Sequence, residues 1–75
     1  MENGTPYIYE KDGEKLSLML DEETGEYHEY YHFPGESTGN IDEKPANVEG
    51  ANLRKVSAVD YDEWCELSLV TESNG

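Results

Sequence analysis

A small, mainly β domain, one antiparallel sheet of about five strands with room for one short helix, is the fold this sequence predicts. Three observations predict it. Apolar and polar residues alternate in several short runs, the period of a half-buried strand. Acidic turns ending in glycine separate those runs where a hairpin would reverse the chain. The chain has 75 residues, enough for a single domain spanning 1–75 and for nothing larger.

The elements follow in order. Met1 to Pro6 is polar and is expected to fray. Tyr7-Ile8-Tyr9-Glu10 is rich in strand formers, and Lys11-Asp12-Gly13-Glu14 makes a tight hairpin turn. Between Lys15 and Leu20, the residues Leu16, Leu18 and Leu20 share one face and Ser17 and Met19 the other. Asp21 to Gly25 forms a second turn. From Glu26 to Phe33, Tyr27, Glu29, Tyr31 and Phe33 alternate with His28, Tyr30 and His32, which predicts a third strand. Pro34 to Ala51 has little periodicity and reads as a long loop (34–51) with a short irregular helix at Ile41–Lys44. A loop of that length in a small domain is usually functional or disordered. Leu53 to Val59 reads as a fourth strand. Asp60 to Glu63 reads as a turn or a single helical turn, with Asp60 placed to cap it. Trp64 to Thr71 reads as a last strand with Cys65, Leu67 and Leu69 inward. Ser73-Asn74-Gly75 is a flexible end.

Core material is scarce. Leu, Ile, Val and Phe are 13 of the 75 residues, a composition that with high charge favours disorder. Six Tyr and one Trp offset this, because each aromatic buries a large apolar area.

The charge balance excludes several functions. Asp and Glu number 18 against 5 Lys and Arg, for a net charge of −13 and an isoelectric point near 4.2. Affinity for phosphates comes from Lys and Arg, so direct nucleic-acid binding is not expected. An anionic membrane surface likewise attracts basic segments, not acidic ones. No apolar run is long enough for a membrane span or a signal-peptide core, so the cytoplasm is the expected location. An enzyme is not expected, because a catalytic pocket needs walls that so short a chain can hardly supply. No cofactor is called for.

Three local patterns invite a chemical reading. His28-Glu29-Tyr30-Tyr31-His32 formally matches the zinc motif H-E-x-x-H, with Glu26 and Glu36 nearby. The two tyrosines and the following Pro34-Gly35 favour a strand over the helix this motif needs, so two surface histidines and no metal are expected. Asp60, Asp62 and Glu63 begin a calcium loop, but no glycine follows where the loop must turn. Cys65 has no partner for a disulfide, and Asp62, Glu63 and Glu66 oppose its thiolate, so it reads as a core residue.

The acidity is the strongest signal. So much uncompensated charge opposes a compact state by self-repulsion. Either adaptation to high salt or a partner that neutralises it accounts for its presence. The commonest basic groove belongs to a DNA-binding protein. Carboxylates on a twisted sheet can occupy its phosphate positions, while exposed aromatic or aliphatic groups fill pockets meant for bases.

Particular stretches sharpen this reading. Leu18-Met19-Leu20-Asp21-Glu22-Glu23 is an acidic strand end. Asp21 through His32 is an acidic turn followed by alternating Tyr, Glu and His. Tyr61 and Trp64 precede a terminal Ser73-Asn74-Gly75, and the unpatterned loop holds a Glu36-Ser37 pair. On these stretches the chain resembles the small acidic uracil-DNA glycosylase inhibitors of bacteriophages, which are DNA mimics. It departs from them in lacking their longer N-terminal helical segment and their richer aliphatic content. The resemblance implies a non-enzymatic counter-defence protein of the host-cell cytoplasm that blocks an enzyme's DNA groove. It implies that Glu36 and Ser37 enter the catalytic cleft, and that Glu22, Glu26, Asp42 and Glu43 stand in for phosphates along its rim. Met19, Tyr30 or Phe33 would receive the side chain that the enzyme wedges into DNA. An inhibitor of a restriction or CRISPR effector, or a non-inhibitory acidic interaction module, fits the same composition.

Overall fold

The structure, a computed structural model, describes residues 4–70. Five strands, β1 (Gly4–Lys11), β2 (Glu14–Asp21), β3 (Glu26–Tyr31), β4 (Asn40–Pro45) and β5 (Asn52–Lys55), precede a 3-10 turn at Ala58–Asp60 and one helix, α1 (Tyr61–Ser68). The strands form a single antiparallel sheet in the order β4-β3-β2-β1-β5. This is the β-rich class the alternation predicts.

The first hairpin follows its sequence closely. Asp12 and Gly13 adopt φ of 52° and 84°, the positive pair a two-residue turn requires to match strand twist. β1 begins at Gly4, so Gly4 to Pro6 pair with β2 instead of fraying. At the second turn the Gly25 N–H donates to the Asp21 carbonyl at 2.7 Å, and the Asp21 side chain accepts from Glu23 N–H.

Register divides the sheet into two faces. Tyr7, Tyr9, Leu16, Leu18, Leu20, Tyr27 and Leu53 share one; Ile8, Ser17, Met19, His28, Tyr30 and Arg54 share the other. Helix α1 covers the second face, yet Leu18 on the first is 0% exposed. Chain length explains why. Ala46, bonded to Tyr27, leaves β4 level with Leu20, whereas Asn52 enters β5 level with Lys15. On a flat sheet these points would lie about 25 Å apart, given strand spacings of about 4.8 Å and a rise of about 3.3 Å per residue. The intervening chain reaches about 22 Å when fully stretched, and part of it is spent on a turn closed by Ala51 N–H to Val48 O. The sheet must therefore curl. Tyr7 and Tyr27, two strands apart, meet edge-to-face at 5.3 Å on the Leu18 side, so their rings close over β2 on that face.

Two segments depart from the sequence reading. The stretch read as a loop with a helix at Ile41–Lys44 contains β4 instead. Its lack of alternation is that of an edge strand, exposed along most of its length and carrying Asp42, Glu43, Lys44 and a terminal Pro45. The stretch read as a final strand is α1. Its alternating Cys65, Leu67 and Leu69 lose to a helical face of Tyr61, Trp64, Cys65 and Ser68, with Asp62 and Glu63 favourably placed in the first turn. Trp64 and Ser68 are buried, while Leu69 is exposed. β5 is also shorter than expected, because Ala58 to Asp60 turn into the helix.

What docks α1 is a split in the sheet. β3 leaves β2 beyond the Leu18–Glu29 pair, and Trp64 fills the opening. Its indole N–H donates to Leu18 O at 3.1 Å, and the buried Ser17 hydroxyl donates to Trp64 O at 2.7 Å. Asp60 stands at the helix start without capping it; its carboxylate accepts from Ser57 and pairs with Arg54 at 2.9 Å. Hydrogen bonding from Arg54, then from Ser57, holds the Asp60 carboxyl below its ordinary pKa. Glu63 bridges Lys15 and Arg54. Beyond α1 the chain returns to the sheet, with His32 N–H donating to Ser68 O and Val70 N–H to His32 O, both at 2.9 Å.

Candidate protein-binding site

The end of β3, the loop from Phe33 to Gly39 and the cleft-facing side of α1 enclose an open cleft of about 210 Å³. Tyr30 and His32 supply its floor. Glu36, Ser37, Thr38 and Gly39 form one wall, and Tyr61, Cys65 and Ser68 the other.

Each wall is held by its own bonds. Glu36 folds back on the loop: its Oε1 accepts from Phe33 N–H and from the Asn40 amide, each at 3.2 Å. Tyr30 stacks on Trp64 with centroids 4.5 Å apart and planes 18° off parallel. Its ring lies against Gly39, where a Cβ would sit on the Tyr30 hydroxyl and ring carbons. Gly39 is thus required for space and not for a left-handed backbone. Gly39→Ala is expected to cost about 1–3 kcal/mol by overpacking, read as a lowered urea midpoint. Thr38→Ala, an exposed neighbour, should stay within about 0.5 kcal/mol; equal losses at both positions would contradict the contact.

Polar order in the cleft runs through Ser68. Its hydroxyl donates to Cys65 O at 2.7 Å and so has its oxygen free to accept from His32 Nδ1–H at 2.8 Å. The neutral His32 ring therefore carries its proton on Nδ1 and leaves Nε2 as an acceptor. Tyr61 stacks on Trp64 at 5.8 Å from the opposite end and is 52% exposed. The neighbouring Cys65 thiol group, acting through charge and a hydrogen bond, raises the Tyr61 pKa, with burial adding to it.

The sequence-derived site residues divide into groups. Glu36, Ser37 and Tyr30 come together in the cleft, with exposed Phe33 beside it against Tyr31. Asp42 and Glu43 lie on the β4 edge, where the Asp42 side chain accepts from Lys44 N–H and its carbonyl accepts from His28 Nδ1 at 2.9 Å. Glu22 and Glu26 lie at the β2–β3 turn, away from the cleft, and Glu22 accepts from the Thr5 hydroxyl. Met19 is half-buried opposite His28 and Pro6 in the middle of the sheet, outside the cleft. Cys65 is half-buried at the cleft wall and not a core residue. His28 and His32 spend their Nδ1 protons on Asp42 O and Ser68 Oγ, and among the described residues no three His, Cys, Asp or Glu side chains group as metal ligands.

Sequence reading missed the helical wall of the cleft. The spacing of Tyr61, Cys65 and Ser68, four and then three residues, was the available signal.

Basic residues are unevenly placed along the chain, while carboxylates occur throughout it. Between Lys15 and Lys44 the chain carries Asp21, Glu22, Glu23, Glu26, Glu29, Glu36, Asp42 and Glu43 and no Lys or Arg. These lie on the β2–β3 turn, β3, the cleft loop and the β4 edge. Four of the five basic residues, Lys11, Lys15, Arg54 and Lys55, belong to the first hairpin and β5, together with Glu10, Asp12 and Glu14, while Lys44 lies on β4 beside Asp42 and Glu43. Among the described residues, no helix is long and apolar enough to cross a membrane. No family model, curated protein or solved structure matches this chain.

Proposed function

We propose that this chain is a DNA-mimic inhibitor, a protein that occupies the basic nucleic-acid groove of an enzyme and keeps DNA out. The carrying observation is the eight-carboxylate stretch from Asp21 to Glu43, which runs from the β2–β3 turn through β3 and the cleft loop to β4 without a Lys or Arg until Lys44. Duplex DNA presents about one charge per 1.7 Å of axis. Same-face residues of a strand repeat at about 6.7 Å, so a sheet edge and its turns can hold a row of carboxylates at about a quarter of the duplex's linear charge density. Fast, salt-sensitive encounter follows from that field.

Uracil-DNA glycosylase is the first target to test, on the resemblance described above. Glu36 and Ser37 at the cleft mouth are the groups assigned to the enzyme's catalytic end, with Asp42, Glu43, Glu22 and Glu26 along the rim. The expected result is that uracil excision stops near one equivalent of this protein. Inhibition should weaken as salt shortens the screening length from about 10 Å at 0.1 M to about 3 Å at 1 M. Undiminished excision at large excess rejects the glycosylase as target. The same titration against a restriction or CRISPR effector then tests the wider reading, and inertness toward all of them leaves a non-inhibitory acidic module.

A further inference from the structure

We infer that the cleft between the Glu36 loop and α1 seats the guanidinium of an arginine on the partner's basic surface. The inference rests on the groove-binding reading and names the chemistry its cleft would take.

Glu36 is a prepared anion. Its Oε1 is committed to Phe33 N–H and Asn40, which holds the side chain in place and leaves Oε2 for an incoming donor. A carboxylate already ordered loses little entropy on pairing. Tyr61 supplies a flat wall: Trp64 backs one side of its ring, and the residue is 52% exposed. His32 adds an acceptor, because its Nδ1 proton is held by Ser68 and Nε2 keeps its lone pair. A volume of about 210 Å³ suits one side chain rather than a helix or a strand.

These features select among cations and against anions. No Lys or Arg lines the cleft, so a phosphate or carboxylate would meet Glu36 without compensation. A lysine ammonium could pair with Glu36, but it is a strongly hydrated point charge. Guanidinium is planar, weakly hydrated, rich in donors and stacks on aromatic rings. A carboxylate, a ring face and an imidazole Nε2 that the Nδ1–Ser68 bond leaves without a partner among the described residues together match the second cation better than the first.

The test uses the intact protein and two blocked tripeptides, acetyl-Gly-Arg-Gly-amide and acetyl-Gly-Lys-Gly-amide, followed by amide NMR. With the arginine peptide, the amides of Glu36 to Gly39 and Cys65 should shift. Affinity should fall about tenfold or more for the lysine peptide and for the Glu36→Gln variant, since a charge-assisted pair becomes a neutral one. Gln retains an oxygen for Phe33 N–H and Asn40, so the loop keeps its bonds. Tyr61→Leu is a second variant, expected to abolish the preference for arginine over lysine. Equal response to both peptides, or amide shifts confined to the acidic β2–β3 turn, overturns the inference. A protein that stops its enzyme while these amides stay silent sinks the arginine seat and leaves the mimic reading standing. A responsive cleft in a protein that inhibits nothing does the reverse.

Discussion

Trp64→Ala is expected to unfold this domain or nearly so. The indole is 3% exposed, stacks on both Tyr30 and Tyr61, and donates to Leu18 O across the split between β2 and β3. Removing a buried Trp typically costs about 3–5 kcal/mol. A domain of this length has roughly 4–11 kcal/mol in all, and self-repulsion from its net charge of −13 works against it. Urea unfolding followed by far-UV circular dichroism measures the loss. Trp64→Phe separates the two contributions: it keeps an aromatic ring against Tyr30 but leaves Leu18 O without its donor, which should cost about 1–3 kcal/mol. An unchanged midpoint in Trp64→Ala would mean that α1 does not dock where described.

Leu18→Ala comes next, with an expected loss of about 2–5 kcal/mol. Leu18 is 0% exposed although it lies on the face without the helix. Its burial depends on the curl of the sheet and on Tyr7 and Tyr27 meeting on the same side. The variant therefore tests whether this face holds a closed apolar core under the Tyr7 and Tyr27 rings. Val59, which is 88% exposed on the 3-10 turn, provides the contrast: Val59→Ser should stay within about 0.5 kcal/mol. If Leu18→Ala is as mild as Val59→Ser, that core is wrong.

Stability and the candidate site are linked through Trp64. Tyr30 and Tyr61 both line the cleft and both stack on this one ring. A variant that loosens α1 should weaken any binding at the cleft along with the fold. Glu36→Gln, which touches neither aromatic stack, separates the two effects.

Much of the sheet was legible before any coordinates. Alternation in Lys15–Leu20 and over Glu26–Glu29 assigned faces that the register bears out, β3 ends at Tyr31 short of the expected Phe33, and Asp12-Gly13 marked its turn. These are local signals, because side-chain period and positive φ are properties of a few adjacent residues. Of the candidate site, Glu36, Ser37 and Tyr30 were named from the sequence and do lie in one cleft. The carboxylates Glu22 and Glu26 were named with them and lie at the other end of β3.

The remainder was decided in three dimensions. Asn40–Pro45 carries no strand pattern of its own and is a strand because β3 offers it a free edge. Tyr61–Ser68 supports either period in isolation; the opening between β2 and β3, filled by Trp64, selects the helix. Cys65, Ser68 and His32 join Glu36 only because the chain after α1 pairs back onto His32. By itself the sequence determined the acidity, the turns and the faces of the central strands, which depend on residue type and near neighbours. Tertiary structure alone decided the curl, the edge strand, the helix and the cleft, since each depends on contacts between residues far apart in the chain.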